Sequence, residues 1–126
     1  MHNNISLWHR AKSDIIVSET LLATTFDGDL NLDIVAYHLQ QATEKLMKFQ
    51  LESQGIVPNR TFDLLILAYQ FDVAEIEIPE WIISNAELFR EYAIAARYGT
   101  NLLATRSKMI ELLAYIKTYL ADICKE

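Results

Sequence analysis

Residues 31–55, NLDIVAYHLQQATEKLMKFQLESQG, decide the fold. Leu32, Val35, Leu39, Ala42, Leu46 and Phe49 recur at steps of three and four, the spacing that gathers side chains on one face of an α-helix. Asn31 is the expected N-cap, with Asp33 in the first turn complementing the helix dipole. Gly55 suits the left-handed residue that closes the same helix.

The pattern repeats on either side. Upstream, Trp8, Ala11, Ile15, Ser18 and Leu22 form a helical stripe between Ile5 and about Thr24, and Phe26-Asp27-Gly28-Asp29 breaks it with a turn. Downstream, Pro58-Asn59-Arg60 is a loop, and Thr61 is read as the cap of a shorter helix reaching about Ala74. Ile76-Glu77-Ile78-Pro79 is an extended connector, because a residue before proline is pushed out of the helical region. Pro79 then suits the start of a helix from about Glu80 to Arg97, with Ile82, Ala86, Phe89, Ala93 and Ala96 inward and Gly99 closing it. A last helix, from about Leu103 to Ile123, carries Met109, Leu112, Leu113, Ile116, Leu120 and Ile123. Four long helices and one short one predict an all-α fold, an up-and-down antiparallel four-helix bundle with one additional short helix. A chain of 126 residues fits one domain over residues 1–126.

Composition agrees. Hydrophobic residues make up 52%, enough for a core, while three Gly and two Pro leave few places to turn the chain. The formal net charge of −6 disfavours a sequence-independent grip on nucleic acid, which depends on neutralising phosphates. The charge is uneven. Asp72, Glu75, Glu77, Glu80, Glu87 and Glu91 against the single Arg90 make that stretch net −5, leaving about −1 for the rest and room for a local basic site. The acidic run reads as a solvated face, or as a surface for a basic protein partner. Cys124 stands alone and cannot form an internal disulfide. The N-terminus lacks a signal-peptide pattern and no apolar run is long enough to span a bilayer, so a cytoplasmic protein without a membrane role is expected.

Ordinary catalytic motifs are missing. None of His2, His9 and His38 follows a Glu at the Glu-x-x-His spacing of a bundle di-iron site. There is no Gly-rich phosphate loop, nucleophile elbow or Cys/His zinc spacing. No metal, no cofactor and no catalytic residue is therefore assigned.

What remains is a positional series. Tyr37-His38-Leu39-Gln40-Gln41-Ala42-Thr43-Glu44-Lys45-Leu46-Met47-Lys48 lies on the second helix, Arg60-Thr61-Phe62-Asp63-Leu64 opens the third, and Tyr92-Ala93-Ile94-Ala95-Ala96-Arg97-Tyr98-Gly99 ends the fourth. The series resembles the HEPN family (higher eukaryotes and prokaryotes nucleotide-binding), with its His-x-Gln-Gln-Ala-x-Glu-Lys helix, Thr-His-Asp-Leu helix start and Arg-Tyr-Pro helix end. The Trp8, Ala11, Asp14 opening is similar to the family's first helix, so the resemblance covers nearly the whole chain. Two positions depart from the pattern, with Phe62 in place of the motif's His and Gly99 in place of its Pro. Ribonuclease members of the wider superfamily carry an Arg followed four to six residues later by His, and no histidine here has an Arg at that separation. Phe62 cannot carry a proton for acid–base cleavage, which speaks against ribonuclease activity.

Each piece has a functional and a plain reading. His38, Gln41, Lys45 and Lys48 share one helical stripe and offer donors to a phosphate, or they form a solvated face on which Glu44 and Lys48 pair. Arg60 precedes a helix N-terminus, a place for an anion, although Asp63 already supplies negative charge there. Arg97 either compensates the dipole at a helix end beside a packed Tyr98, or forms a phosphate fork beside a Tyr that stacks on a base. His9, beside Trp8, reads as a surface or half-buried histidine. Tyr115 and Tyr119 suggest more apolar area than one bundle buries, consistent with self-association.

The leading expectation is a HEPN-like homodimer module that binds a nucleotide or RNA through His38, Gln41, Lys45, Arg60, Asp63, Arg97 and Tyr98. The resemblance also implies pairing with a minimal nucleotidyltransferase, sometimes as toxin and antitoxin, and the acidic stretch is a reasonable docking surface for it. The alternatives are a non-catalytic scaffold that keeps only the dimer interface, and a HEPN-type ribonuclease with a degenerate active site.

Overall fold

The computed structural model describes residues 5–24, 30–98 and 104–124. Among them lie five helices and no strand: α1 Ile5–Leu22, α2 Leu30–Ser53, α3 Leu64–Val73, α4 Glu80–Tyr98 and α5 Arg106–Cys124. The longest, α2, packs against all four others, most extensively against α1, while α3 rests on α4 and α2. All six α2 positions read from the sequence as inward are buried, from Leu32 to Phe49. They meet Ala11, Ile15 and Leu22 of α1, Ile82 and Phe89 of α4, and Met109, Leu112 and Ile116 of α5 in one apolar cluster. Each fully buried Leu, Phe or Met contributes about 1.5–3 kcal/mol relative to an exposed one, so this cluster is the main source of stability.

Two helix ends close in the same way. At the end of α2 the Gly55 N–H donates to the Glu52 carbonyl and the Ile56 N–H to the Leu51 carbonyl, both at 3.0 Å, with Gly55 at φ 81°. At the end of α3 the Glu75 N–H donates to Asp72 at 3.0 Å and the Ile76 N–H to Phe71 at 2.9 Å. There the left-handed position, φ 58°, is held by Glu75 rather than glycine. Both are Schellman closures, and the isoleucine after each packs against the core.

Several sequence expectations are corrected. Asn31 lies inside α2, which already begins at Leu30, so it is not the N-cap. Asp63, not Thr61, caps α3: its backbone is extended and its side chain accepts the Leu65 N–H at 3.0 Å. Thr61 instead accepts the Asp63 N–H through its hydroxyl at 3.0 Å. Ala96 is exposed, and Tyr92, Ala93 and Ala95 take the buried positions of that turn. On the last helix, Ala104 and Thr105 precede α5, whose Lys108 N–H is accepted by the Thr105 hydroxyl at 3.2 Å. The turn at residues 26–29, the closing Gly99 and the start at Leu103 lie outside the described residues.

Of the apolar area expected around Tyr115 and Tyr119, the part at Tyr119 is taken up within the chain, while Tyr115 stays 41% exposed. Tyr119 is buried and its hydroxyl donates to Gln50 Oε1 at 2.6 Å. Tyr115 stacks on Trp81, with ring centroids 5.4 Å apart and planes 7° from parallel. The connection between α5 and α1 is polar as well, since the Arg106 guanidinium donates to the Leu22 carbonyl at the end of α1.

Candidate functional site

The polar signature of α2 divides between two neighbours. On the side facing α1, Asp14 occupies the apolar stripe between Ala11 and Ser18 and is only 7% exposed. One of its carboxylate oxygens accepts from His38 Nδ1 at 2.8 Å and the other from Lys45 Nζ at 2.7 Å. A carboxylate can only accept, so the proton of the His38 bond sits on Nδ1. A buried carboxylate without partners would be costly, and this one has a charged partner and a polar one. The same bonds engage two of the four side chains that this stripe offers to a phosphate, so an anion approaching His38 and Lys45 competes with Asp14.

The other side of α2 faces the approach to α3. Gln40 is fully buried, and its Nε2 donates to the Phe62 carbonyl at 3.1 Å and to Glu44 Oε1 at 3.2 Å. Its Oε1 accepts from Gln41 Nε2 at 2.8 Å. Gln40 thus fastens the chain at Phe62 to α2, and Gln41 supports it from the adjacent stripe. Glu44 also takes Lys48 Nζ at 2.8 Å, the expected i, i+4 pair.

Above this fastening sit side chains from α4. The Arg97 guanidinium lies over the Phe62 ring, 5.0 Å from its centroid. One helical repeat earlier, Arg90 Nε stands 4.0 Å from Asp63 Oδ2. Residues 90 and 97 are seven apart and share a face, so α4 presents two arginines to the start of α3. Tyr98, next to Arg97, is 73% exposed. A guanidinium lying over a ring can still offer N–H donors to a phosphate, and an exposed Tyr beside it offers a face to a base.

The seven sequence candidates therefore fall into three sets. Asp63 and Arg97 meet at the start of α3 through Phe62 and Arg90, with Gln41 one hydrogen bond behind them through Gln40. His38 and Lys45 are joined to each other, but by Asp14 on the neighbouring face. Arg60 and Tyr98 are exposed, and among the described residues neither makes a hydrogen bond or ion pair. Asp63 fills the helix terminus that Arg60 was expected to serve, so any anion held by Arg60 is not held by that terminus.

Four participants were not among the candidate site residues read from sequence. Asp14 had a signal: an ionisable residue three after Ala11 and four before Ser18 stands on a buried stripe. Arg90 had one too, at heptad distance from Arg97. Gln40 stands in the second-helix motif, on the stripe it shares with Tyr37 and Glu44, but its bond to Phe62 and the role of that ring depend on how the loop before α3 crosses α2.

Nearby, Tyr92 is buried against Phe89, ring centroids 6.2 Å apart. Burial pushes its phenol up to about 12, and the charges of Glu91 and Asp33 add to the effect. Among the described residues no group of His, Cys, Asp and Glu is placed to hold a metal ion, and no helix is long and apolar enough to cross a membrane.

Comparison with known proteins returned no matching curated protein and no matching solved structure. The HEPN domain family model matches residues 6–126, nearly the whole chain. On that match, with the His38–Lys48 helix and the Arg97-Tyr98 helix end in their places, the chain belongs to the HEPN family.

Proposed function

We propose that the chain is a non-catalytic nucleotide- or RNA-binding module whose ligand meets the Arg97–Phe62 stack. The observation that carries this reading is the Arg97 guanidinium over the Phe62 ring, 5.0 Å from its centroid, with Tyr98 exposed next to it. Membership of the HEPN family supports it, a family of nucleotide- and RNA-binding modules. Arg97 supplies the phosphate contact and Tyr98 the stacking face. Gln40, Gln41 and Asp63 position this surface rather than touch the ligand. His38 and Lys45, held by Asp14, stabilise the α1–α2 seam, and the ligand does not depend on them. Phe62 carries no proton, so RNA cleavage is not part of the proposal.

The wider setting follows the family. The chain forms one helical domain over residues 1–126, with α1, α2, α4 and α5 as an up-and-down antiparallel bundle and α3 as the additional short helix. The packing of α1 on α2 and α5, and of α4 on α2, supports that arrangement. The module works as a cytoplasmic homodimer, in line with the frequent dimerisation of HEPN domains. A minimal nucleotidyltransferase, in a toxin–antitoxin type of pair, is the protein partner proposed, with the exposed acids of α4, Glu80, Glu87 and Glu91, as its docking surface.

The experiment is fluorescence anisotropy with a labelled single-stranded RNA and, separately, thermal unfolding with added ATP. Saturable binding that Arg97→Ala weakens is the expected result. Absence of any binding by the intact chain would leave a scaffold. That second reading is favoured by one observation, the engagement of His38, Lys45 and Asp63 in contacts within the chain.

A further inference from the structure

The helix α3 reads LLILAYQFDV, with Gln70 and Asp72 its only polar residues. Leu64, Leu67, Ala68 and Phe71 are buried against the rest of the chain. The opposite side is apolar too: Leu65, Ile66, Tyr69 and Val73 are exposed, Tyr69 by 68% and Val73 by 65%. A helix that is apolar all round is normally covered all round, and this one is covered on one side only.

The charges at its two ends differ in sign. Before α3 lies exposed Arg60, and Arg90 reaches its first turn through Asp63. At and beyond its last turn lie exposed Asp72, Glu75 and Glu77. The exposed stripe is also symmetric in register, since Leu65 and Val73 stand equally far from Tyr69.

From these observations we propose that the outer face of α3 is the surface on which two copies of this chain pair. The two α3 helices run antiparallel about a two-fold axis beside Tyr69. This rests on the self-association proposed above and assigns it a surface. About that axis Leu65 packs on the partner's Val73, and Tyr69 meets its own counterpart. The basic end of each helix comes opposite the acidic end of the other, which brings the loop at Arg60 toward the partner's exit segment with Glu75 and Glu77. A parallel pairing would instead set like charges together. An isologous contact needs a patch complementary to itself, and this face is apolar along its middle and opposite in charge at its ends.

The test is sedimentation of the full chain and its variants. The wild-type chain is expected to be dimeric, and Tyr69→Glu monomeric at the same concentration with unchanged helical circular dichroism. Arg60→Glu alone and Glu77→Arg alone each place like charges across the axis and are expected to weaken the dimer by about tenfold. The double variant restores opposite charges and recovers most of that loss. A dimer that survives Tyr69→Glu, or a double variant no tighter than either single one, overturns the face and its register. A wild-type chain that stays monomeric overturns self-association too and leaves the face to another partner. RNA binding is read separately, through Arg97→Ala, so failure here is distinguishable from failure of the ligand site.

Discussion

Asp14 accepts a hydrogen bond from His38 Nδ1 at 2.8 Å across the seam between α1 and α2, and its second oxygen holds Lys45 at 2.7 Å. Removing the carboxylate strands two part-buried side chains at once. Asp14→Ala is expected to cost about 2–4 kcal/mol of stability, and Asp14→Asn, which keeps an acceptor oxygen, roughly half as much. Urea denaturation of the three proteins checks this. An Asp14→Ala variant as stable as the parent would show that the seam is held by apolar packing alone.

Arg97 lies on the surface over Phe62, so its removal should affect binding far more than folding. Arg97→Ala is expected to lower RNA affinity by about tenfold for all sequences and to reduce the slope of log K against log salt by about one. The change in stability should stay within about 0.5 kcal/mol. Arg97→Lys keeps the charge but not the planar guanidinium, and should fall between the two. Equal affinity in all three proteins would remove Arg97 from the ligand site.

Glu75 is the one described non-glycine residue with positive φ, at 58°. Its Cβ crowds the following carbonyl there, a conformation that costs roughly 1–2 kcal/mol. Glu75→Gly relieves this at the price of some chain entropy, for an expected net gain of about 0.5–1 kcal/mol. Gly55→Ala, at φ 81°, should lose a similar amount or more. Thermal midpoints moving the opposite way in either variant would contradict the two Schellman closures.

Tyr92 gives the fold a sensitivity to alkali. Its phenol has an ordinary value of 10.0 and is raised to about 12 in the folded chain by burial, with Glu91 and Asp33 adding to the shift. The contribution is therefore complete below pH 10 and is lost as pH rises toward 12, because the unfolded chain ionises first. Burial raises Tyr119 in the same direction. Stability should fall across that interval, and Tyr92→Phe should make the fall shallower. A denaturation series from neutral to alkaline pH reads both slopes.

The sequence exposed the helices more fully than the site, for a physical reason. Helical periodicity is local, so the buried stripe from Leu32 to Phe49 and the terminator Gly55 follow from a few turns of chain. Caps were less legible: Thr61 and Asp63 are both good cap residues two positions apart, and only the backbone decides that Asp63 does the work. Family spacing found Arg97, yet its ring partner Phe62 is more than thirty residues away in sequence and comes near it only when α3 lies against α4. His38 and Lys45 could be placed on one stripe, but nothing within α2 announces that a carboxylate of α1 will hold them.

The loop before α3 is tied as firmly as its end. Gln70 accepts the Asn59 N–H at 2.8 Å and donates to the Val57 carbonyl at 3.0 Å, while Gln40 holds the Phe62 carbonyl and Ile76 anchors the exit. The short helix is thereby a preorganised ridge and not a hinged flap. A molecule that docks on it need not order the backbone first, so little of the binding free energy goes into lost chain motion. Changes of affinity on that ridge should then show as differences in residence time, with encounter rates nearly constant among variants that leave charge untouched.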